Sequence, residues 1–177
     1  FDGAESRPRA ERCLLSFGSS SGPPMLPILY NNNYQIVQSP GYVMILVEMV
    51  HDARIIRISD EPLPESFRPW LGDSTGRWEG DTLVVENTGF NPLQSFRNSS
   101  ENRRVVERCT RVADDTINYR VTVHDPETFT SDFTAEIPFK RTTDRLFEYA
   151  CHEGNYALPG VLAGARIEEI EQETASN

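Results

Sequence analysis

The sequence predicts a mainly β domain: an antiparallel meander that closes into a lipocalin-like barrel or stays open as a half-barrel, with a sandwich as another arrangement of the same strands. Short β-branched and aromatic runs are separated by turn residues, and neither an internal repeat nor a β-α-β alternation is present. The 177 residues suffice for one domain with a buried core. We expect an irregular N-terminal arm (1–33), an antiparallel β domain (34–158), and a short C-terminal helix with an acidic tail (159–177).

The N-terminal arm has the composition of a loop. Its serines and glycine at 19–22 are followed by Pro23, Pro24 and Pro27, which all favour irregular backbone. The asparagine triplet at 31–33 suits a turn, because asparagine tolerates the left-handed region. A free arm of this kind frays, so order along it would indicate that a partner or a neighbouring copy holds it.

The strands are predicted in hairpin order along the middle of the chain. They cover 34–38, 42–50, 53–59, a hairpin over 77–87, 105–112, 116–124 and 133–140. In the run 116–124, Ile117, Tyr119 and Val121 alternate with polar residues, which is the period of a half-buried strand. Pro138 indicates an edge strand or a bulge, because proline has no amide hydrogen for a ladder.

The C-terminal helix is predicted from its apolar spacing. Ala163, Ile167 and Ile170 fall at i, i+4 and i+7 after Pro159 and Gly160, so they form one stripe. Its last turns are rich in glutamate, which opposes the helix dipole.

The charge balance excludes two kinds of partner. The net charge is −10, so the surface repels nucleic acid and anionic lipid. The arginines at 103, 104, 108 and 111 are interrupted by Glu107, which favours cross-strand ion pairs over a phosphate-binding track. The longest apolar run, Tyr42 to Val50, is far shorter than the roughly 20 residues that span a bilayer. We therefore predict neither nucleic-acid binding nor membrane insertion by this chain.

The three cysteines indicate an oxidising compartment. Cys13 and Cys151 lie in irregular flanks, whereas Cys109 lies in a predicted strand. We therefore expect a Cys13–Cys151 disulfide and one free buried thiol. Three reduced thiols in a cytosolic protein are the alternative.

Two histidines, each followed directly by an acidic residue, are the candidate catalytic residues. His51 and Asp52 follow the apolar strand, and His152 and Glu153 follow the cysteine that we expect to be bridged. If these four residues and Glu48 come together in the fold, they would form an acid–base site of the hydrolase or lyase type. On a regular strand, however, Glu48 and His51 point to opposite faces. The alternative is that both histidines are structural. We predict no metal and no cofactor, and we expect Glu48 to pair with Arg54 or Arg77.

A second group of residues has the composition of a ligand-binding cup. Aromatic rings with amide and guanidinium groups nearby suit a sugar or a small aromatic ligand, although core packing explains the aromatic residues as well. The candidates are Tyr34, Asn33, Trp70, Arg77, Trp78 and Tyr119. No serine elbow, phosphate loop or dinucleotide-binding fingerprint accompanies them.

Five segments carry a family resemblance that spans roughly residues 11–170. They are YNNNYQIVQ at 30–38, HDARII at 51–56, WLGDS at 70–74, GRWEGDTLVV at 76–85 and YACHEGN at 149–155. The chain resembles a family of uncharacterised exported bacterial proteins, common in acidobacteria and related environmental lineages, that has no assigned chemistry. Cys13 and Cys151 match the pattern of that family, and Cys109 departs from it. The resemblance implies a mature chain in the periplasm or outside the cell.

These observations leave three functional hypotheses. The first is an exported, non-enzymatic β domain that acts as a partner-binding or structural subunit of a larger assembly, with other protein chains or copies of itself as partners. The second is a lipocalin-like binder of a small molecule. The third is the hydrolase or lyase described above.

Overall fold

A computed structural model describes residues 2–15 and 22–175, and of His51 it describes the backbone alone. The fold is mainly β, and eight strands form one sheet. The strands are β1 (Tyr34–Ser39), β2 (Tyr42–Val47), β3 (Ala53–Arg57), β4 (Asp73–Glu79), β5 (Thr82–Thr88), β6 (Arg104–Ala113), β7 (Thr116–His124) and β8 (Phe133–Lys140). Short 3-10 turns cover Ala4–Ser6 and Met49–His51, and one helix, α1, covers Ala157–Ala175.

The strand order in the sheet is the order in the sequence, so the predicted meander is confirmed. All neighbouring strands are antiparallel except β3 and β4, which pair in parallel through Arg57 and Thr75. The proline-containing connection 58–72 is long enough to bring the chain back to the same end of the sheet, which a tight hairpin cannot do. The sheet curls into a half-barrel, and no ladder joins β1 to β8 within the described parts of the chain.

The concave face of the half-barrel carries the hydrophobic core. Side chains of one parity point inward along each strand, so Val43, Ile45 and Val47 of β2 are buried while Tyr42 is exposed. Ile56 of β3 and Tyr119 of β7 belong to the same cluster. The alternation predicted for β7 is therefore observed, with the expected face inward.

The N-terminal arm packs into the concave face. Met25 is almost fully buried in the core, and its backbone N–H donates to the Tyr119 hydroxyl at 2.9 Å. Gly22 has φ +83°, and an added Cβ there would lie 3.6 Å from Cζ of Arg54, so the backbone passes close over that guanidinium. Residues of the arm thus fill the space that a lipocalin keeps for its ligand.

A disulfide joins Cys13 to Cys151, as predicted, and Cys109 is a free thiol. The bond ties the arm to the segment before α1. Asn155 strengthens the junction by donating to the Glu11 carbonyl at 2.7 Å.

The helix α1 is longer than predicted and begins two residues earlier, at Ala157. Pro159 lies in its first turn, where a missing amide hydrogen breaks no helical hydrogen bond. Ala165 is its only buried residue within Ala157–Ala175, and Ile167 and Ile170 are exposed. Within the described residues, no helix is both long enough and apolar enough to cross a bilayer.

Candidate functional site

The open seam of the half-barrel lies where the start of β1 approaches the end of β8. The Tyr34 ring stacks on Phe139 at 5.3 Å between centroids, and Phe139 stacks on Tyr119 at 4.9 Å. Burial raises the pKa of Tyr34 to about 12. A groove of about 1110 Å³ opens beside this stack, and we call it the seam groove. It is lined by residues from β1 and β8, the β6–β7 turn and the segment 141–146, including Asn32, Asn33, Tyr34, Gln35, Ile36, Arg111, Asp114, Asp115, Thr116, Ile117, Ile137, Pro138, Phe139, Lys140, Arg141, Asp144, Arg145 and Leu146.

The outer edge of β1 presents main-chain groups to this groove. The carbonyl of Asn33 accepts from the N–H of Glu48 at 3.0 Å, which fixes the side of β1 that faces β2. Hydrogen-bonding direction alternates along an antiparallel strand, so the polar main-chain groups of Gln35 and Val37 also point to β2. Those of Tyr34, Ile36 and Gln38 therefore point away from the sheet, and of these three residues Tyr34 and Ile36 line the groove. The edge from Gln35 to Ser39 contains neither a charged residue nor a proline.

The outer edge of β8 is protected, in contrast to that of β1. The N–H of Arg141 donates to the carbonyl of Asp115 at 2.7 Å, so the same alternation places the main-chain groups of Glu136, Pro138 and Lys140 at the free edge. Pro138 has no donor there, and its neighbours at the edge carry charged side chains. Proline and charge are the usual devices that prevent pairing at an edge. The predicted edge position of Pro138 is confirmed.

The direction of the two edges follows from the pairing pattern. Starting at β1, six antiparallel pairings and one parallel pairing separate it from β8, so both strands run in the same direction along the sheet. A strand that enters the seam antiparallel to β1 is therefore also antiparallel to β8.

The segment after β8 is fixed at both ends and carries positive charge into the groove. The backbone N–H of Arg141 donates to the carbonyl of Asp115, and the backbone N–H of Phe147 donates to the Glu48 side chain at 2.9 Å. Glu48 also accepts from the Asn33 side chain at 2.7 Å. The predicted pairing of Glu48 with Arg54 or Arg77 is therefore wrong: its neighbours are an amide and a backbone N–H, because β2 ends before Glu48 and a 3-10 turn follows.

A buried polar network lies behind the groove, under the N-terminal arm. The Glu107 carboxylate accepts from both terminal nitrogens of Arg54, from the Asn87 amide at 2.8 Å and from the Tyr119 hydroxyl at 2.7 Å. Burial alone would lower the pKa of Arg54, but the Glu107 carboxylate outweighs it and the net shift is upward. Nε of Arg54 has no hydrogen-bond partner among the described residues. The network is closed to solvent, so it fixes the barrel rather than reaching a substrate.

The free thiol adjoins the same network. Burial, with a smaller contribution from Glu107, raises the pKa of Cys109 to about 12. A thiol that stays protonated is a poor nucleophile and a poor metal ligand. Cys109 is therefore a packing residue on the concave side of β6.

The predicted arginine cluster contains arginines in surface ion pairs and one buried arginine. Arg104 pairs with Glu86 across β5 and β6, and Arg108 reaches Glu79 of β4, as cross-strand ion pairs were predicted to do. Arg103 is fully buried with its guanidinium 3.7 Å from the Phe90 ring centroid. It donates to carbonyl and amide oxygens, and burial lowers its pKa to about 10.

The structure separates the predicted ligand-binding residues. Asn33 and Tyr34 line the seam groove, whereas Tyr119 is buried with its hydroxyl held by Met25 and Glu107. Arg77 pairs with Glu79 on the surface. Trp70 lies near the Arg9 guanidinium, and Trp78 is exposed at the β4–β5 turn. Sequence reasoning missed Ile36, Phe139, Arg141 and Arg145, although the unprotected β1 sequence and Pro138 were signals for this site.

The candidate catalytic residues occupy two different neighbourhoods. The His51 side chain lies outside the described residues, and Asp52 ends the 3-10 turn after β2. His152 and Glu153 are exposed beside the disulfide, and the His152 ring has no carboxylate partner among the described residues. The described parts of the chain also contain no group of three or more metal-ligating side chains.

No protein-family model, curated protein or solved structure that was compared with the chain matches it.

Proposed function

We propose that this chain is an exported, non-enzymatic partner-binding domain that receives an extended segment of another protein chain at the seam groove. The segment adds as a strand to the free edge of β1. The observation that carries the proposal is the contrast between the two edges: β1 is uncharged and presents the main-chain groups of Ile36 and Gln38, whereas Pro138 and its charged neighbours block β8. A chain with both edges exposed to water needs protection at both unless one of them has a partner.

Strand addition supplies both affinity and specificity at such an edge. The main chain of the incoming segment pairs with Ile36 and Gln38, and its alternate side chains enter the groove. The inward-facing neighbours there are Ile137 and Phe139, so apolar side chains at every second position fit best. A single strand fits this site better than a whole sheet edge, because the segment 141–146 also lines the groove and limits its width.

The Cys13–Cys151 disulfide supports a periplasmic or extracellular location, since such bonds persist in oxidising compartments. The arm that we expected a partner to hold is held instead by the chain itself, through Met25 and that bond. The partner-binding role therefore rests on the seam and not on the arm.

A small apolar ligand is the second candidate for the same groove. The stacked rings of Tyr34 and Phe139 favour it, because flat rings give contact area to aromatic ligands. It differs from the first candidate in one respect that can be measured: a small ligand needs the rings, and a strand needs the main-chain groups of β1.

The substitution Ile36→Pro tests strand addition. It removes an N–H that points out of the sheet and leaves the β1–β2 ladder intact, so the fold should survive. A display library of random extended peptides is selected against the wild-type chain, and the selected peptides are measured by calorimetry. We expect Ile36→Pro to weaken binding by about tenfold or more, because it removes a main-chain hydrogen bond and places a ring in the path of the strand.

Thr134→Pro is the matched control, because the N–H of Thr134 also points to a free sheet edge, that of β8, and Thr134 does not line the groove. It should leave the affinity unchanged, and circular dichroism should show both variants folded. Peptides that bind Ile36→Pro as tightly as wild type, or a selection that yields no binder, would overturn the proposal. Small molecules that bind Ile36→Pro normally but fail to bind Phe139→Ala would favour the second candidate.

A further inference from the structure

We infer that the segment received at the seam groove carries acidic side chains at its C-terminal end, where Arg141 and Arg145 bind them. The inference rests on the proposed strand addition to β1 and identifies the chemistry of the partner. It adds a charge requirement and a direction to the apolar alternation described above.

The direction of the incoming segment comes from the sheet. A strand antiparallel to β1 is antiparallel to β8 as well, and antiparallel pairing is the more stable of the two modes. Since β1 starts at Tyr34, the C-terminal end of the incoming strand lies at the Tyr34 end of the groove. The segment 141–146 lines the groove and leads to that same end, because the N–H of Phe147 donates to Glu48, which also accepts from the Asn33 side chain.

The charge requirement comes from the side chains that line the groove. The whole chain has 17 basic and 27 acidic residues, yet four basic and three acidic side chains line the groove. Two of the basic groups are already engaged: Lys140 pairs with Asp115 at 3.4 Å, and Arg111 donates to the carbonyls of Ala113 and Asp114. Of the three acidic side chains, Asp115 is thus engaged, whereas those of Asp114 and Asp144 form no ion pair with any described residue. Arg141 and Arg145 form no side-chain ion pair or hydrogen bond with any described residue.

The two arginines are also held in position by their backbone. Hydrogen bonds fix the segment at Arg141 and at Phe147, so both guanidinium groups start from an anchored stretch of chain. An anchored arginine loses less conformational freedom when it binds a carboxylate than one on a free tail. Arginine also binds a carboxylate through two parallel hydrogen bonds, which makes it selective for acidic side chains.

Four synthetic peptides with one apolar alternating core test the inference by calorimetry at low and high salt. The first ends in two glutamates, the second ends in two glutamines, the third begins with the two glutamates, and the fourth is the core alone; all have blocked termini. We expect the first to bind about tenfold more tightly than the second or third, because each exposed ion pair contributes modestly. Added salt should remove most of that difference.

The chain variants Arg141→Gln and Arg145→Gln should each lower the affinity for the first peptide by about two- to fivefold and leave the second unchanged. Arg120→Gln is the matched control, since Arg120 is an exposed β7 arginine that does not line the groove.

The outcomes separate this inference from the proposed function. Equal binding of the first and second peptides, with Ile36→Pro still weakening the binding of both, overturns the acidic requirement and keeps strand addition. Tighter binding of the third peptide overturns the direction. If none of the four peptides binds, or if all bind Ile36→Pro normally, strand addition fails and the inference fails with it.

Discussion

Glu107 organises the interior of the half-barrel, because four donor groups converge on its one carboxylate. Arg54 supplies two of them, and Asn87 and Tyr119 supply the others. An ion pair buried to this extent stabilises the fold only while both partners are present, since each charge alone has lost its hydration. The network therefore specifies how β3, β5, β6 and β7 are placed around one point.

We predict that Glu107→Gln lowers the free energy of unfolding by about 3 to 5 kcal/mol, because Arg54 remains as a buried, uncompensated charge. Urea denaturation followed by circular dichroism at neutral pH measures the change. The double variant Arg54→Met, Glu107→Leu should recover most of the loss, since it removes both charges and keeps the volume. A loss below about 1 kcal/mol for Glu107→Gln would show that the Arg54 charge is compensated elsewhere.

Some contacts of single residues can be predicted from the sequence, and others cannot. The Cys13–Cys151 bond was predicted from position, since both residues lie outside the strands. The partner of Glu48 was not, because its side chain leaves the end of β2 at a turn that an apolar run does not reveal. The Arg54–Glu107 pair joins residues 53 positions apart, and no local pattern marks such a pair.

At the scale of elements, the N-terminal arm occupies the interior of the half-barrel. Met25 and Leu26 pack against the core, and the disulfide fixes the arm to the segment before α1. A loop of 138 residues is closed by that bond, so its removal raises the entropy of the unfolded chain considerably.

We predict that the double variant Cys13→Ser, Cys151→Ser loses about 2 to 5 kcal/mol of stability and that the arm becomes sensitive to proteases while the sheet stays resistant. Limited proteolysis with mass spectrometry locates the cuts. Reductant should bring the wild type to the level of the variant and leave the variant itself unaffected. Cuts that appear first within β4 to β7 would contradict an arm that opens independently.

The strands were predicted well because their turns lie in the local sequence. Gly41 and Gly80 occupy hairpin turns with positive φ, and alternation identifies the inward face of β7. The parallel β3–β4 contact was not predicted, because it depends on the path of the connection 58–72 and involves a single residue pair. Helix α1 extends further than its apolar stripe, since most of its residues are exposed and periodicity gives no boundary.

For the whole molecule, the sequence does not decide whether the sheet closes into a barrel or stays a half-barrel with an open seam. Direct closure would pair β1 with β8 in parallel, and the Pro138 edge lacks a donor for it. The choice depends on the direction of all eight strands at once, so no single segment reveals it.

We predict that the chain purified under native conditions from its source has a mass well above the 20.1 kDa of one chain, because the proposed partner would occupy the seam. Size-exclusion chromatography with light scattering measures it. The recombinant chain alone gives the reference mass, and Ile36→Pro produced in the source should run at that reference. A native mass near that of one chain would contradict an obligate assembly and direct attention to small ligands.

The sheet order also determines when the disulfide forms during folding. Every strand pairs with its neighbour in the sequence, and all of these pairs except β3–β4 are antiparallel, so we expect the sheet to assemble mainly from local hairpins. The seat of Met25 is made by Tyr119 and its surroundings, and it exists only once β6 and β7 have paired. We therefore expect Cys13 to be held beside Cys151 only after the sheet has formed. On this order of events, oxidation locks a fold that is already formed and does not guide its formation.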